Sequence, residues 1–167
     1  GDDYLEKMIS QKPGNVMVVA GKNSKKIDYI LAAVKAGLNV YADKPLVINP
    51  EGFQKLEEAF KIANEKGVMI YDIMTERFEV TTGMQRQFSM LPEVFGQVLE
   101  GSKEEPAIIK ESVHHFFKYV SGQPLVRPAW FFDVNEEGEG IVDVTTHLVD
   151  LVQWELFPVE IINRTDI

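Results

Sequence analysis

Through the first half of the chain, short unbroken apolar runs alternate with stretches in which apolar residues recur at helical spacing. Val16-Met17-Val18-Val19-Ala20 is a continuous apolar run, the pattern of a strand buried on both faces of a parallel sheet. Ile27, Ile30, Leu31 and Val34 then fall at i, i+3, i+4 and i+7, which predicts a helix capped by Ser24 and ended by Gly37 in the left-handed position. Leu38 to Ala42 predicts a second strand. Asn49-Pro50-Glu51 is a helix start, combining a capping side chain, a proline in the first turn and an acid near the positive end of the dipole. Phe53, Leu56, Phe60 and Ala63 mark one face of that helix, Gly67 its end, and Val68 to Ile73 a third strand. Strands separated by helices of this length imply right-handed crossovers and a parallel sheet.

The pattern then changes. Arg77 to about Leu99 predicts helix with breaks near Pro92 and Gly96. Ala107 to Val120, rich in β-branched and aromatic residues, predicts a long strand, and Gly122 to Pro128 a loop. Trp130 to Val134 predicts a short strand, Gly138 to Glu155 a helix, and Val159 to Asn163 a further strand. The expected class is α/β, with a parallel-sheet domain over residues 1–75 followed by the start of an α+β domain over residues 76–167.

Chemistry concentrates in two places. In the predicted helix after Gly138, Asp143, His147 and Asp150 stand at i, i+4 and i+7, which puts ionisable groups in a stripe on one face of an otherwise apolar segment. Histidine titrates near physiological pH and is the natural acid/base group, with Asp143 or Asp150 to orient it or to contact a ligand. A satisfied histidine at the edge of a core helix is the competing reading. The second place is Asp43-Lys44-Pro45, just after the second predicted strand. Ligands of open α/β sheets bind beyond the carboxyl ends of strands, and proline there can hold a cis bond that aims the lysine. The same three residues also read as an ordinary turn.

Other features carry less. His114 and His115 are adjacent in a predicted strand and point to opposite faces, so one of them can face a cleft. A metal site from His114, His147 and Asp150 lacks any local ligand motif, and none is expected. Arg127 could reach an anionic or sugar ligand. Lys25 and Lys26 oppose the dipole at a helix start, which a phosphate or a solvated loop would explain.

Composition narrows the partners. The chain has 26 acidic and 17 basic residues, a net charge of −9, which argues against nucleic acid and against an anionic membrane surface. There is no cysteine, so a thiol nucleophile, a cysteine-zinc site and an internal disulfide are excluded. No stretch approaches the roughly 18 apolar residues of a membrane span. The expected compartment is the cytoplasm, with the periplasm as the alternative if a signal lies upstream of Gly1.

Three segments carry a family resemblance: Ala20-Gly21-Lys22-Asn23; Ala36-Gly37-Leu38-Asn39-Val40-Tyr41-Ala42-Asp43-Lys44-Pro45-Leu46; and Gly138-Glu139-Gly140-Ile141-Val142-Asp143-Val144-Thr145-Thr146-His147-Leu148-Val149-Asp150. In this order they resemble the Gfo/Idh/MocA oxidoreductases, whose patterns run A-x-P-N-x-x-H, A-G-x-x-V-x-x-E-K-P-L-A and G-G-x-x-x-D-x-G-x-H-x-x-D. The resemblance implies the C-terminal part of a Rossmann-like sheet followed by the start of an open-faced-sheet domain. Such a sheet often pairs with another subunit, which makes a homo-oligomer possible, but here the sheet is incomplete and the oligomeric state stays open. It implies NAD or NADP as cofactor, with hydride transfer to or from a hydroxyl-bearing carbon of a sugar or cyclitol. It implies catalytic roles for Lys44, His147 and Asp143, with Asp143 positioning substrate or histidine, and nicotinamide contacts for Asn23 and Lys44. Asp150 and His114 are candidate substrate contacts from their own positions in the predicted helix and strand. The sequence departs from the pattern at Asp43 (usually glutamate), Lys22 (usually proline) and Lys26 (usually histidine), and it contains no G-x-G-x-x-G loop to cradle a pyrophosphate. The expectation is a fragment that begins after that loop and is inactive alone, or a chain that folds with a partner supplying the rest. Two alternatives stay open: glycoside cleavage assisted by a recycled NAD, and a carbohydrate-binding or interaction module without catalysis.

Overall fold

A computed structural model of the chain describes residues 3–112 and 117–157. The chain divides into two compact units. One runs to Met74 and also includes Val126–Val144; the other comprises Thr75–Leu125 and the residues from Thr145 onward. Residues 126–144, expected with the second domain, therefore pack within the first unit.

In the first unit, helix α1 (Tyr4–Gln11) precedes strand β1 (Val16–Val19), helix α2 (Lys26–Lys35), strand β2 (Asn39–Ala42), helix α3 (Pro50–Lys66) and strand β3 (Ile70–Asp72). The strands form a parallel sheet in the order β1-β2-β3, with Val18, Tyr41 and Tyr71 in register. Both helix ends foreseen at glycine are present: Gly37 and Gly67 adopt φ of 78° and 67°. Asn49 caps α3 by accepting from the Gly52 amide at 2.8 Å. Val19, Val40 and Ala42 of the sheet pack with Ile27, Ile30 and Val34 of α2 and with Ala59 and Ala63 of α3.

Three expectations for this unit change. Within this chain only one face of β1 is covered: Val19 is buried, while Val16 and Val18 are exposed along with Tyr41 and Tyr71. On α3 the buried stripe is Gly52, Ala59 and Ala63, while Phe53 and Phe60 are exposed. Small residues let α2 and α3 approach closely, and the phenylalanines lie one position off that stripe. Ser24 does not cap α2. It sits in a 3-10 turn, Asn23–Lys25, and its Oγ donates to Glu136 Oε2 at 2.8 Å.

The later part of this unit is helical. A 3-10 turn (Ala129–Phe132) leads into short helices α6 (Val134–Glu137) and α7 (Gly140–Asp143). The strand expected over Trp130 to Val134 is thus a helical turn. Asp133 caps α6 by accepting from the Asn135 amide, and the aromatic rings pack edge-to-face on their sequence neighbours. Arg127 stacks its guanidinium on Phe131, 4.4 Å from the ring centre.

Gly138, between α6 and α7, has φ of 88°, and a Cβ there would lie 3.0 Å from Ile48 Cγ2 and 3.1 Å from Ile48 Cβ. Gly138→Ala combines an unfavourable backbone with that contact, and it is expected to cost about 1–2 kcal/mol in urea unfolding.

The second unit holds a 3-10 turn (Glu76–Phe78), helices α4 (Val80–Ser89), α5 (Pro92–Phe95) and α8 (Thr146–Leu156), and a two-stranded antiparallel ribbon of β4 (Tyr119–Val120) and β5 (Gln123–Pro124). The helical reading of residues 77–99 holds to Phe95, with its breaks at Pro92 and at Gly96, whose φ is 74°. The long strand expected over Ala107 to Val120 is not formed in its described part; only its last two residues pair. A β-rich composition suits a pleated, half-buried surface, and among the described residues no neighbouring strand offers one to residues 107–112. His114, His115 and the strand expected over Val159 to Asn163 lie outside the described residues.

Candidate functional site

In the first unit, the carboxyl end of β2 runs directly into the expected lysine. The Asp43 amide donates to Val19 O at 2.9 Å, and Asp43 Oδ1 accepts from the Lys44 amide at 2.9 Å, which holds the chain as it leaves the sheet. The Lys44–Pro45 bond is cis. Lys44 Nζ donates to Asp143 Oδ1 at 2.9 Å and also to the Asp143 carbonyl. The two side chains are 17% and 15% exposed, so the pair is mostly but not fully withdrawn from water.

Beneath that turn lies a charge the sequence did not reveal as buried. Lys26 is 1% exposed, and its ammonium donates to Asn23 Oδ1 (2.8 Å), Asp43 O (2.8 Å) and Lys44 O (3.2 Å). All three of its protons thus have acceptors, two of them the carbonyls on either side of the Asp43–Lys44 bond. The phosphate or solvated loop considered for Lys26 is replaced by protein oxygens. Burial, the leading cause, holds its pKa below the ordinary 10.5 despite the raising effects of Asp43, Glu137 and Asp143.

Asn23 links this ammonium to α6. Its Nδ2 donates to Glu137 O at 3.0 Å and to Glu137 Oε2 at 2.9 Å, so both ends of the amide are engaged within the protein. Glu137 is buried, its Oε1 has no hydrogen-bond partner, and burial raises its pKa above 4.5, opposed mainly by the hydrogen bond from Asn23. The folded state therefore favours the protonated acid. The stability this contributes is complete below about pH 4.5 and is lost as pH rises through the folded-state value. Glu137→Gln keeps an acceptor for Asn23 and removes the charge. It is expected to melt at or above the wild-type temperature at neutral pH, and the difference should shrink toward pH 4.5; a variant that is less stable at neutral pH would contradict this.

In the second unit, His147 and Asp150 stand three residues apart on α8 and face the turn that carries Glu76 and Arg77. His147 Nδ1 lies 3.0 Å from Glu76 Oε1, off the line of a straight hydrogen bond, so Nδ1 is left without a conventional partner. Arg77 forks onto Asp150, with Nε donating to Oδ2 at 2.7 Å and Nη2 to Oδ1. Further along α8, Glu155 accepts from Lys110 at 2.8 Å and Gln85 at 3.1 Å, and Arg86 stacks on Trp154.

The continuous stripe of Asp143, His147 and Asp150 is corrected. Helix α7 ends at Asp143 and α8 begins at Thr146, so only His147 and Asp150 share a helix. The interruption falls at Val144-Thr145, in a β-branched run that continues into Thr146, restricts χ1 and propagates a helix poorly. Asp143 is engaged by Lys44, and Asp150 by Arg77. The burial of Lys26, and Glu137, Glu76 and Arg77 as site residues, escaped sequence reading. Asn23 and Lys26 at i, i+3 around a helix start were the available signal for the first; nothing local marks Glu76. Among the described residues no group of acidic and histidine side chains could hold a metal ion.

Residues 2–73 match the family model for the oxidoreductase family with NAD-binding Rossmann fold, and residues 84–167 match the model described as "Putative oxidoreductase C terminal domain". A crystal structure described as a "putative oxidoreductase" from Parabacteroides merdae is 62% identical, with a TM-score of 0.89 over 97% of this chain. The chain spans 37% of that protein's length. The fold also matches GenD2 from gentamicin A biosynthesis, solved with NAD (18% identity, TM-score 0.67, 91% of this chain and 38% of that one). It matches the WlbA dehydrogenase of Bordetella pertussis, solved with NADH and UDP-GlcNAcA (17% identity, TM-score 0.61, 91% and 43%). Comparison with the curated proteins finds no match. The chain belongs to the Gfo/Idh/MocA family of oxidoreductases.

Proposed function

We propose that this chain is the part of a nicotinamide-dependent sugar or cyclitol oxidoreductase that receives the nicotinamide end of NAD or NADP and handles the substrate hydroxyl. The observation that carries the reading is the Lys44–Asp143 pair beyond the carboxyl end of β2, where open α/β sheets bind ligands. The residues fit that end of the cofactor: Lys44 is a largely sheltered cation in a turn held by Asp43 and Lys26. They do not supply a pyrophosphate cradle, since the sequence has no G-x-G-x-x-G. When bound, the cofactor takes up or gives the hydride.

This chain's own residues orient and move protons. Lys44 donates toward the substrate oxygen and favours the alkoxide as the hydroxyl proton leaves. Asp143 holds the Lys44 ammonium in place through its carboxylate and its carbonyl. His147 is the group that takes the hydroxyl proton in oxidation and returns it in reduction. Asn23 acts through Lys26 and Glu137, and Asp150 through Arg77. A noncatalytic sugar-binding role and NAD-assisted glycoside cleavage remain as outcomes of the same experiment.

The test is a titration of the whole encoded protein with NADH and NADPH, followed by nicotinamide fluorescence, then a screen of sugars and cyclitols for absorbance change at the nicotinamide band. Saturable binding and stoichiometric NAD turnover are expected. Turnover without net change in nicotinamide would favour glycoside cleavage. Sugar binding indifferent to either nucleotide would sink the oxidoreductase reading.

A further inference from the structure

The second unit contains an acid that the family pattern does not assign and that sits against the proton carrier. Glu76 and Arg77 are neighbours on one short turn. Their partners, His147 and Asp150, are three residues apart and so lie on one face of α8. The forked Arg77–Asp150 pair fixes the turn against the helix, and with the turn so fixed Glu76 Oε1 lies 3.0 Å from His147 Nδ1. Among the described residues, the Glu76 carboxylate has no other ion-pair partner, and its buried Oε2 has no hydrogen bond. Asp143, the acid expected to orient the imidazole, is engaged by Lys44 instead.

We propose that Glu76 is the positioning residue for His147: its carboxylate, 3.0 Å from Nδ1 though off the line of a straight hydrogen bond, draws the imidazole proton to Nδ1 by its charge and so presents Nε2 as the nitrogen that exchanges the substrate proton. The inference rests on the proton-carrying role given to His147 above. A carboxylate beside one ring nitrogen fixes both the tautomer and the ring orientation, and it stabilises the imidazolium formed when the other nitrogen takes a proton. In oxidation the hydroxyl proton passes to Nε2 while the hydride from the same carbon goes to the nicotinamide; reduction reverses both transfers. Glu76 takes no proton in either direction.

The test compares wild type, Glu76→Ala, Glu76→Gln and His147→Ala in the whole encoded protein, with kcat, KM and histidine nitrogen NMR as readouts. Wild type is expected to show His147 as a single Nδ1–H tautomer. Glu76→Ala should lower kcat by about 10–100-fold with KM unchanged, and should give a mixture of tautomers. Glu76→Gln, which keeps an acceptor and nearly the same shape, should recover the tautomer and part of kcat. It also provides the reading if the alanine variant does not fold. Wild-type kcat in Glu76→Ala, or an Nε2–H tautomer in the wild type, overturns the proposal. Normal kcat in His147→Ala overturns the proton-carrier reading instead, and the NMR readout separates that failure from this one.

Discussion

Replacing Lys44 by alanine is expected to lower kcat/KM by about 10²–10⁴-fold, with little loss of fold stability. The ammonium is poised on Asp143 in a turn whose backbone is held by Asp43 and by Lys26, so it is oriented before any ligand arrives. Preorganised charge is worth most where charge develops during reaction, and in the proposed reaction that charge develops on the substrate oxygen. Asp143 is left without its partner in the variant, but it retains some exposure and a backbone outside the sheet, so folding should tolerate the loss. Lys44→Arg should not rescue, because a planar fork cannot replace a point charge that meets both the carboxylate and the carbonyl of one residue. Steady-state rates together with thermal melting decide the matter. A Lys44→Ala protein that keeps near-normal rates would remove this lysine from the chemistry.

The largest stability effect is expected at Lys26. Lys26→Met keeps the length of the stem and removes three hydrogen bonds at once, stranding Asn23 Oδ1 and the carbonyls of Asp43 and Lys44. A buried acceptor left without a donor costs about 1–3 kcal/mol, and removing one member of a buried charged network costs about 3–5 kcal/mol. Relief from burying the ammonium offsets part of this, so about 3 kcal/mol in urea unfolding is the expected size. The variant should also lose activity beyond its loss of stability, because the carbonyls that Lys26 grips are those that set the direction of Lys44. A fully stable Lys26→Met protein would show that the three contacts are dispensable.

Much of the parallel-sheet unit was legible because local rules and burial agree there. The Asn49 cap, the glycine C-termini and the Ile27–Val34 stripe each signal a boundary or a face within a few residues. Lys44 and Asp143 were legible as separate motifs. Their pairing was not, since adjacency across the chain is a tertiary fact. The stripe over Asp143 to Asp150 misled because helical periodicity was followed through a β-branched run that interrupts the helix. Lys26 misled for a different reason: lysine is nearly always exposed, and only three convergent oxygens make its burial tolerable. Residues 107–112 show the limit of propensity, since strand-forming residues make no strand without a neighbour.

The Asn23–Glu137 clasp joins residues 114 positions apart, whereas the sheet and its helices close over short loops. Closing a long loop is entropically slower than forming local contacts. The sheet should therefore assemble first as a nucleus, with α6 and α7 docking late and bringing Asp143 to Lys44 only then. The segment that completes the lysine turn is thus the one whose amides should exchange with solvent soonest, well before those of β2 and α2.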